Sequence, residues 1–150
     1  FLPLLGGERA PGWRGELRGT LHGISLATRP EEILRAGLEG VALRIALVYA
    51  RLQPLLDEDA AVIASGGALL HSPAWLQIMT DVLGCPVQPS PVDEASARGV
   101  VVLALAALGS EAAPLSFTAP PYLPDKTAHA RYQEAAARQE ALYAWVAERN

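Results

Sequence analysis

The chain has 150 residues, of which 51% are hydrophobic and 19% charged, and its net charge at neutral pH is −4. This length suits one domain, and the composition excludes a mainly disordered chain. The acidic balance argues against a nucleic-acid-binding domain, which normally presents a basic face. The chain has a single cysteine, Cys85, and therefore cannot form an internal disulfide. Because proteins of oxidising compartments commonly contain disulfides, we predict a cytoplasmic protein.

No segment of the sequence is long and apolar enough to cross a bilayer. The longest apolar stretch, Val100 to Leu108, is about half of the roughly 20 residues that a membrane span needs, so we expect no membrane association. The chain opens Phe1-Leu2-Pro3, with neither an initiator Met nor a signal-peptide pattern. We therefore expect a segment of a longer polypeptide.

The first elements in chain order are a loop, a strand and a helix. Residues 1–19 are rich in Gly and Pro, which predicts an irregular surface loop, and residues 20–26 are expected to form a strand. Thr28 and Glu31 then form a capping box, and Gln53-Pro54 ends the helix that follows. Its apolar residues recur in steps of four and three, with the charged residues elsewhere on its surface. These apolar positions are Leu34, Leu38, Val41, Ile45, Val48 and Leu52, and the charged ones are Arg35, Glu39 and Arg44.

The middle of the chain has the order strand, helix, strand. Ala61–Ser65 is a short apolar run typical of a buried strand. It leads through Gly66-Gly67 to Ser72-Pro73, whose residue types suit the start of a second helix. Gly84 suits the end of that helix, and residues 86–89 are expected to add a short edge strand.

The last third of the chain is predicted to be mainly helical. A third helix runs from Asp93-Glu94 to Leu108 and is apolar nearly all round, so we expect it to be buried on more than one side. Residues 110–127 form a Pro-rich connector, and a final helix covers about 128–148. The acidic run Asp57-Glu58-Asp59 is interpreted as a solvated turn. The predicted class is α/β, a small sheet flanked by helices, in a domain truncated at its N-terminal side.

The step from the first strand through Gly66-Gly67 to the helix at Ser72 is the strongest candidate ligand site. Two residues without Cβ atoms let a flat ring or a phosphate lie against the backbone, and a helix N-terminus offers N–H donors next to it. Open α/β sheets also bind ligands at the carboxyl ends of their strands. A plain tight turn uses the same glycines, so this spacing leaves both interpretations open.

Other reactive residue types give weaker signals. His22, His71 and His129 have no carboxylate or cysteine at metal-ligand spacing, so no metal site is predicted. Glu8-Arg9 in the Gly-rich loop suits either a polar substrate or an ordinary surface ion pair. From the residues alone, the sequence indicates an α/β domain with a candidate small-ligand turn.

Four motifs in the same order resemble the C-terminal domain of the FGGY carbohydrate kinases, the family of gluconokinase, xylulokinase and glycerol kinase. They cover nearly the whole chain, and their order and spacing make the resemblance specific. They are Gly6–Trp13, similar to the family's G-E-R-x-P loop; Arg18–Ile24 with Glu32-Ile33 and Ala36–Glu39, similar to its second signature; Ser65–Gly67 with Ser72–Trp75 and Asp81–Gly84, similar to its adenine-side segment; and Glu94–Gly99, similar to the helix that follows.

This resemblance implies an actin-like, ribonuclease H-like ATPase fold and transfer of the γ-phosphoryl group of ATP, with Mg²⁺, to a sugar hydroxyl. It implies that Gly66 and Gly67 pack on the adenine and that a residue at the start of the next helix contacts the nucleotide. Four residues separate the glycine pair from Ser72-Pro73, where most relatives have three. Either Ser72 or His71 therefore takes that role. Glu8 and Arg9 would lie in the substrate-side loop.

The family's general-base aspartate and its sugar-binding N-terminal domain have no counterpart in these residues. We therefore predict no catalytic residue here and no activity for the chain by itself, since phosphoryl transfer depends on these parts together. Gluconate is the favoured substrate, with xylulose, ribulose and other polyols as alternatives. The expected partners are the sugar, ATP, the chain's own N-terminal domain and, through Trp13 and the last helix, a second copy of the chain. The alternative function is a non-catalytic actin-like module that binds nucleotide or protein. A dinucleotide-binding domain is not favoured, because the sequence does not contain the glycine fingerprint of such domains.

Overall fold

The computed structural model describes residues 1–57 and 59–149, so Glu58 of the predicted acidic turn lies outside the described residues. Within them, five α-helices flank a small parallel sheet. The helices are α1 (Pro30–Leu52), α2 (Gly67–Leu70), α3 (Pro73–Leu83), α4 (Ala95–Ala107) and α5 (Lys126–Ala147); the strands are β1 (Val62–Ala64) and β2 (Val87–Pro89), and a 3-10 turn, Gln53–Leu55, follows α1.

The sheet consists of β1 and β2 in parallel register, which confirms both predicted strands of the middle segment. Val62 pairs with Val87, and Ala64 pairs with Pro89. The outer edge of β2 is covered by the connector, since Val87 and Tyr122 exchange two backbone hydrogen bonds, of 3.0 and 2.9 Å. Leu76 of α3 closes the core beneath the two strands.

The main helical core lies where α1, α3 and α5 meet. Ala42, Leu43, Met79, Val82 and Tyr132 are buried there together. Both predicted ends of α3 are confirmed, with a serine N-cap and a C-terminal glycine in the left-handed conformation. This core makes α3, the helix that follows the glycine turn, a rigid support.

The first loop is irregular, as predicted, but its leucines are part of the core. Leu2, Leu4 and Leu17 are buried against Val146 of α5. The Phe1 carbonyl also accepts a hydrogen bond of 2.8 Å from Gln139. The final helix therefore holds the beginning of the chain in place.

Two predictions near the start of α1 are wrong. Residues 20–26 do not form a strand: only Thr20 pairs, in an isolated bridge with Leu2, and Leu26 is fully exposed. The capping box forms one residue later than predicted, because Glu32 accepts a hydrogen bond of 2.8 Å from the Arg29 backbone N–H. The Thr28 hydroxyl instead accepts from the Ser25 backbone N–H and stabilises the preceding turn.

The predicted surface of α1 also needs correction. Its buried residues are Gly40, Ala42 and Leu43, whereas Leu34 and Ile45 of the predicted apolar stripe are exposed. A small residue is needed at Gly40 because a Cβ there would lie 2.9 Å from the Phe1 carbonyl oxygen. Val41, Ile45 and Val48 of the stripe instead line an open cavity together with the first loop.

The predicted burial of α4 is wrong for the described part of the chain. No residue of α4 is buried, and Val100 and Leu103 are 68% and 72% exposed. The helix itself forms where predicted, and Gly109 follows it with a φ of +72°. Helix formation follows from the local sequence, but burial requires a partner layer.

Candidate functional site

The glycine turn lies at the carboxyl end of β1, as the sequence predicted. Gly66 has a φ of +97°, which L side chains rarely adopt, and no atom lies within 4 Å of the position that a Cβ would take. Ser90, which follows β2, donates a backbone hydrogen bond of 2.8 Å to Ala64 at the same edge. Gly66 is exposed, so a flat group has open access to its backbone.

The two candidate nucleotide contacts, His71 and Ser72, follow α2, a four-residue helix that begins at Gly67. The His71 ring lies beside Gly67, 3.5 Å from the position of a Cβ there, and it is exposed. The Ser72 hydroxyl accepts a hydrogen bond of 3.4 Å from the Trp75 N–H and so caps α3. The structure therefore brings Gly66, Gly67, His71 and Ser72 together, with His71 the more accessible of the two candidates.

Glu8 belongs to a second, buried cluster formed by the first loop, α1 and α5. One of its carboxylate oxygens pairs with the Arg44 guanidinium, and the other accepts a hydrogen bond of 2.6 Å from the Tyr143 hydroxyl. Arg44 also pairs with Glu140 at 3.1 Å and lies over the Tyr143 ring, 4.9 Å from its centroid. Both oxygens of Glu8 are therefore used inside the protein.

This cluster is tightly enclosed. The side chain of Glu8 is 1% exposed and that of Arg44 is 11% exposed, and a Cβ at Gly12 would collide with Glu8 and Tyr143. Burial, followed by the hydrogen bond to Glu8, raises the pKa of Tyr143. The Tyr143 hydroxyl therefore remains a donor well into the alkaline range.

Arg9 has a different environment from its neighbour. It is exposed, and its carbonyl accepts a hydrogen bond of 3.0 Å from the Trp13 N–H, which closes the loop. The Glu8 N–H donates to the Arg14 carbonyl at 2.9 Å. Glu8 thus anchors the loop, while the neighbouring Arg9 points its charge outward.

Sequence reasoning missed Arg44, Glu140 and Tyr143 as partners of the first loop. Arg44 was assigned to the exposed surface of α1, but it lies next to Leu43 on the buried side. The available signal was a charged residue adjoining core positions of a helix. Such a residue requires a counter-charge when it is buried.

The histidines do not form a metal centre. His129 Nδ1 bonds the Asp81 carbonyl at 2.8 Å and so joins α5 to the end of α3. Within residues 1–57 and 59–149, no group of three or more His, Cys, Asp or Glu side chains is placed to hold a metal ion. In the same residues, no helix is long and apolar enough to cross a membrane.

Comparison with known proteins identifies relatives that match most of this chain. Residues 1–108 match the model of the FGGY family of carbohydrate kinases, C-terminal domain. A gluconokinase from Bacillus subtilis is 34% identical over 109 residues, 73% of this chain and 21% of the relative. A glycerol kinase from Thermotoga maritima is 28% identical over 110 residues, 73% of this chain and 22% of the relative.

The structural comparison extends over the whole chain. A crystal structure described as a xyloylose kinase from Brucella ovis superposes with a TM-score of 0.85 at 29% identity, and covers 99% of this chain and 32% of that one. The chain thus spans about a fifth to a third of the length of these relatives. The predicted actin-like, ribonuclease H-like ATPase fold is confirmed by these neighbours. The chain belongs to the FGGY family of carbohydrate kinases, whose C-terminal domain its residues 1–108 match.

Proposed function

We propose that this chain forms the adenine side of the nucleotide site in an ATP-dependent kinase that phosphorylates a sugar or sugar acid. The observation that carries the proposal is the exposed glycine turn at the carboxyl end of β1, in a chain whose family is that of the carbohydrate kinases. Gly66 leaves an open space where any other residue would place a Cβ. The residues present therefore fit the flat purine of ATP.

Each part of the turn has a separate task in this proposal. The backbone at Gly66 and Gly67 provides a flat surface for the ring. The accessible imidazole of His71, or the hydroxyl of Ser72, contacts the nucleotide from the side. The N-terminus of α3 adds a partial positive charge close by, and the buried face of α3 keeps the turn fixed.

The acceptor that we propose is gluconate. Its support is the similarity to the Bacillus subtilis gluconokinase, while glycerol and xylulose kinases among the relatives make glycerol, xylulose and ribulose the acceptors to compare. Arg9 is the exposed charge that we assign to the substrate side, where a guanidinium suits a carboxylate. Glu8 contributes by fixing the loop that carries Arg9.

Catalysis requires groups that we place outside this chain. The general-base aspartate and the sugar-binding N-terminal domain are expected upstream, and the described residues offer no cluster for Mg²⁺. Magnesium supplies charge neutralisation on the phosphates when it accompanies ATP. We therefore propose that these 150 residues alone bind nucleotide without phosphorylating any sugar.

Nucleotide binding is tested with two matched glycine variants. Gly66 and Gly23 both have positive φ, +97° and +84°, and both have open space at the Cβ position. Gly66→Ala and Gly23→Ala both place an L side chain at a positive φ and should each cost about 1 to 3 kcal/mol of stability. By calorimetric titration with ATP, only Gly66→Ala should weaken binding, by about tenfold or more. Equal affinities for the two variants would contradict the assignment of the adenine site.

The reaction is tested by coupled ADP release from the protein encoded by the complete reading frame. Gluconate, xylulose, ribulose and glycerol are compared, with the 150-residue chain as the control. If the complete protein phosphorylates one of these sugars and the 150-residue chain does not, the result supports the kinase proposal and identifies the acceptor. ATP binding without turnover of any sugar favours the non-catalytic actin-like module instead.

A further inference from the structure

A cavity of about 370 Å³ lies between α1, α5 and the end of α3. Its apolar walls are formed by Leu43 and Ala46 of α1, Val82 and Leu83 of α3, and Ala136 of α5. Leu43 and Val82 belong to the buried core that these three helices share. The walls are therefore part of the packed body, and the volume falls in the range of small-molecule sites.

Glu140 is the only charged residue among the described residues that line this cavity. Its Oε1 accepts a hydrogen bond of 3.1 Å from Arg44, and no group of the described residues is bonded to its Oε2. The Glu140 side chain is 48% exposed. Its carboxylate is therefore accessible to a ligand and has one oxygen free to accept a hydrogen bond.

The charges around Arg44 do not balance. Arg44 is the shared partner of two carboxylates, Glu8 and Glu140, so the three side chains together carry a surplus negative charge. Both oxygens of Glu8 are already bonded, one to Arg44 and the other to Tyr143. The surplus therefore falls on Glu140, at the cavity.

Two tyrosine rings, those of Tyr49 and Tyr132, also line the cavity. The negative face of an aromatic ring attracts a cation within about 6 Å of its centre. The leucine, valine and alanine walls suit the apolar part of a ligand. Because the described lining combines a carboxylate with aromatic rings and has no cationic side chain, it favours a positively charged ligand and disfavours an anion.

We infer that this cavity binds a small aromatic amine, whose ammonium group pairs with Oε2 of Glu140 and whose ring lies between the walls of α1, α3 and α5. The bound cation offsets the surplus negative charge of the Arg44 cluster. Neither Gly66 nor Arg9 is among the described residues that line the cavity. The site is therefore separate from the proposed nucleotide and sugar sites, and the inference does not rest on the proposed function.

Three ligands of nearly equal shape test the charge that the cavity accepts. They are 2-phenylethylamine, 2-phenylethanol and 3-phenylpropanoate, titrated calorimetrically at pH 7 into the protein encoded by the complete reading frame. The amine should bind at least about tenfold more tightly than the alcohol, because its bond to a carboxylate is charge-assisted, and the propanoate should bind more weakly than both. The inference is overturned if the amine does not bind or if either of the other two ligands binds as tightly.

Glu140→Gln removes the charge with little change of shape. Glu134→Gln is its matched control, because Glu134 also lies on α5, pairs with Arg138 at 4.0 Å and has a side chain that is 77% exposed. The affinity for the amine should fall at least about tenfold in Glu140→Gln and stay unchanged in Glu134→Gln. Equal affinities for the two variants would exclude Glu140 as the binding group and overturn the inference.

Ala50→Trp tests whether the cavity itself holds the ring. Ala50 lines the cavity and is exposed, so a large side chain there can fill the cavity from its rim. Ala137→Trp is the control for added bulk, since Ala137 is exposed on α5 and is not among the lining residues. Only Ala50→Trp should abolish binding of the amine.

Amine binding that survives in a folded Ala50→Trp protein would reduce the contact to a surface ion pair and overturn the inference. Thermal unfolding shows whether each variant is folded, and if Ala50→Trp does not fold, the two glutamine variants decide the question by themselves. These titrations contain neither ATP nor sugar. Their failure would therefore leave the proposed function untouched, and failure of the proposed function would leave this site in place.

Discussion

Glu8 and Arg44 are the most buried ion pair among the described residues, with side-chain exposures of 1% and 11%. The pair is completed by the Tyr143 hydroxyl on the second Glu8 oxygen. Removal of one partner from such a pair leaves a charge without water or a counter-ion. At the scale of single residues, this cluster controls the position of the loop that carries Arg9.

Arg44→Met should lower the free energy of unfolding by about 3 to 5 kcal/mol, because it leaves the Glu8 carboxylate buried and unpaired. Adding Glu8→Gln to the same chain should recover part of that loss, since the stranded charge is then removed. Denaturant unfolding of the single and double variants measures both effects.

Arg35→Met is the matched control for the buried pair. Arg35 pairs with Glu39 across one helical turn at 2.7 Å, but its side chain is 67% exposed. Its loss should cost less than about 1 kcal/mol. If Arg35→Met and Arg44→Met destabilise the protein equally, burial does not determine the strength of the Glu8–Arg44 pair.

Tyr143 gives this cluster a dependence on alkaline pH. Burial and the hydrogen bond to Glu8 raise its pKa above the ordinary value of 10.0, so the folded state holds the phenol proton more tightly than the unfolded state. This contribution to stability is complete below about pH 10 and is lost as the pH rises through the raised pKa.

Tyr143→Phe should therefore flatten the decline of stability above pH 10, although it lowers stability at pH 7 by about 2 kcal/mol through loss of the bond to Glu8. Urea unfolding of both proteins between pH 7 and 11 measures the two slopes. If the free energy of unfolding falls equally steeply with pH in both proteins, deprotonation of Tyr143 is not coupled to folding.

At the scale of elements, the end of α3 and the start of α5 are locked together. The Asp81 carboxylate accepts hydrogen bonds from Gln77, at 2.8 Å, and from the Asp125 N–H, at 2.9 Å. Gly84 ends α3 with a φ of +70°, and the His129 ring occupies the space beside it. Because α3 supports the glycine turn, this junction links α5 to the candidate nucleotide site.

Gly84→Ala should destabilise the junction for two reasons. The residue would need a left-handed backbone conformation, and its Cβ would lie 2.7 Å from His129 Nδ1. We expect a loss of about 1 kcal/mol from the backbone and a further loss from the clash. Thermal unfolding of Gly84→Ala with and without His129→Ala measures the coupling, since only the clash is relieved in the double variant. Strictly additive losses would show that the ring is free to move away.

At the scale of the whole molecule, the described residues divide into a packed body and one unpartnered helix. Helices α1, α3 and α5 share a buried core, whereas α4 has no buried residue. Segments with few buried apolar contacts open locally at low free energy.

Hydrogen exchange should show this division directly. Backbone amides of α4 should exchange many times faster than those of α3, although both helices are similar in length, at 13 and 11 residues. Mass spectrometry of peptides from the two helices gives the rates. Equal protection of α4 and α3 would show that α4 is covered in the isolated chain.

The features that the sequence predicted correctly are those with local causes. Ser72 and Gly84 marked the ends of α3 because caps depend on adjacent residues, and Gly66 marked the turn because only a residue without a Cβ suits it. The exposure of α4 was not predictable in this way, since burial depends on which other segments pack against a helix, and local sequence does not describe them.

The Glu8 cluster illustrates the same limit within the candidate site. Arg44 and Tyr143 lie 36 and 135 residues from Glu8 in the sequence. The sequence around each of the three residues does not identify its partners in this contact. Sequence reasoning therefore found the loop and the charge of Arg9, but not the ion pair that holds them.

The packing of α5 on the first loop affects how the protein is made. Leu2 and Leu17 leave the ribosome well before their apolar partner Val146, which belongs to the last helix described, α5. Because synthesis proceeds from the N-terminus, these leucines stay without their final contacts until α5 has emerged. A nascent chain stopped at residue 108, where the family match ends, exposes them to chaperones and proteases.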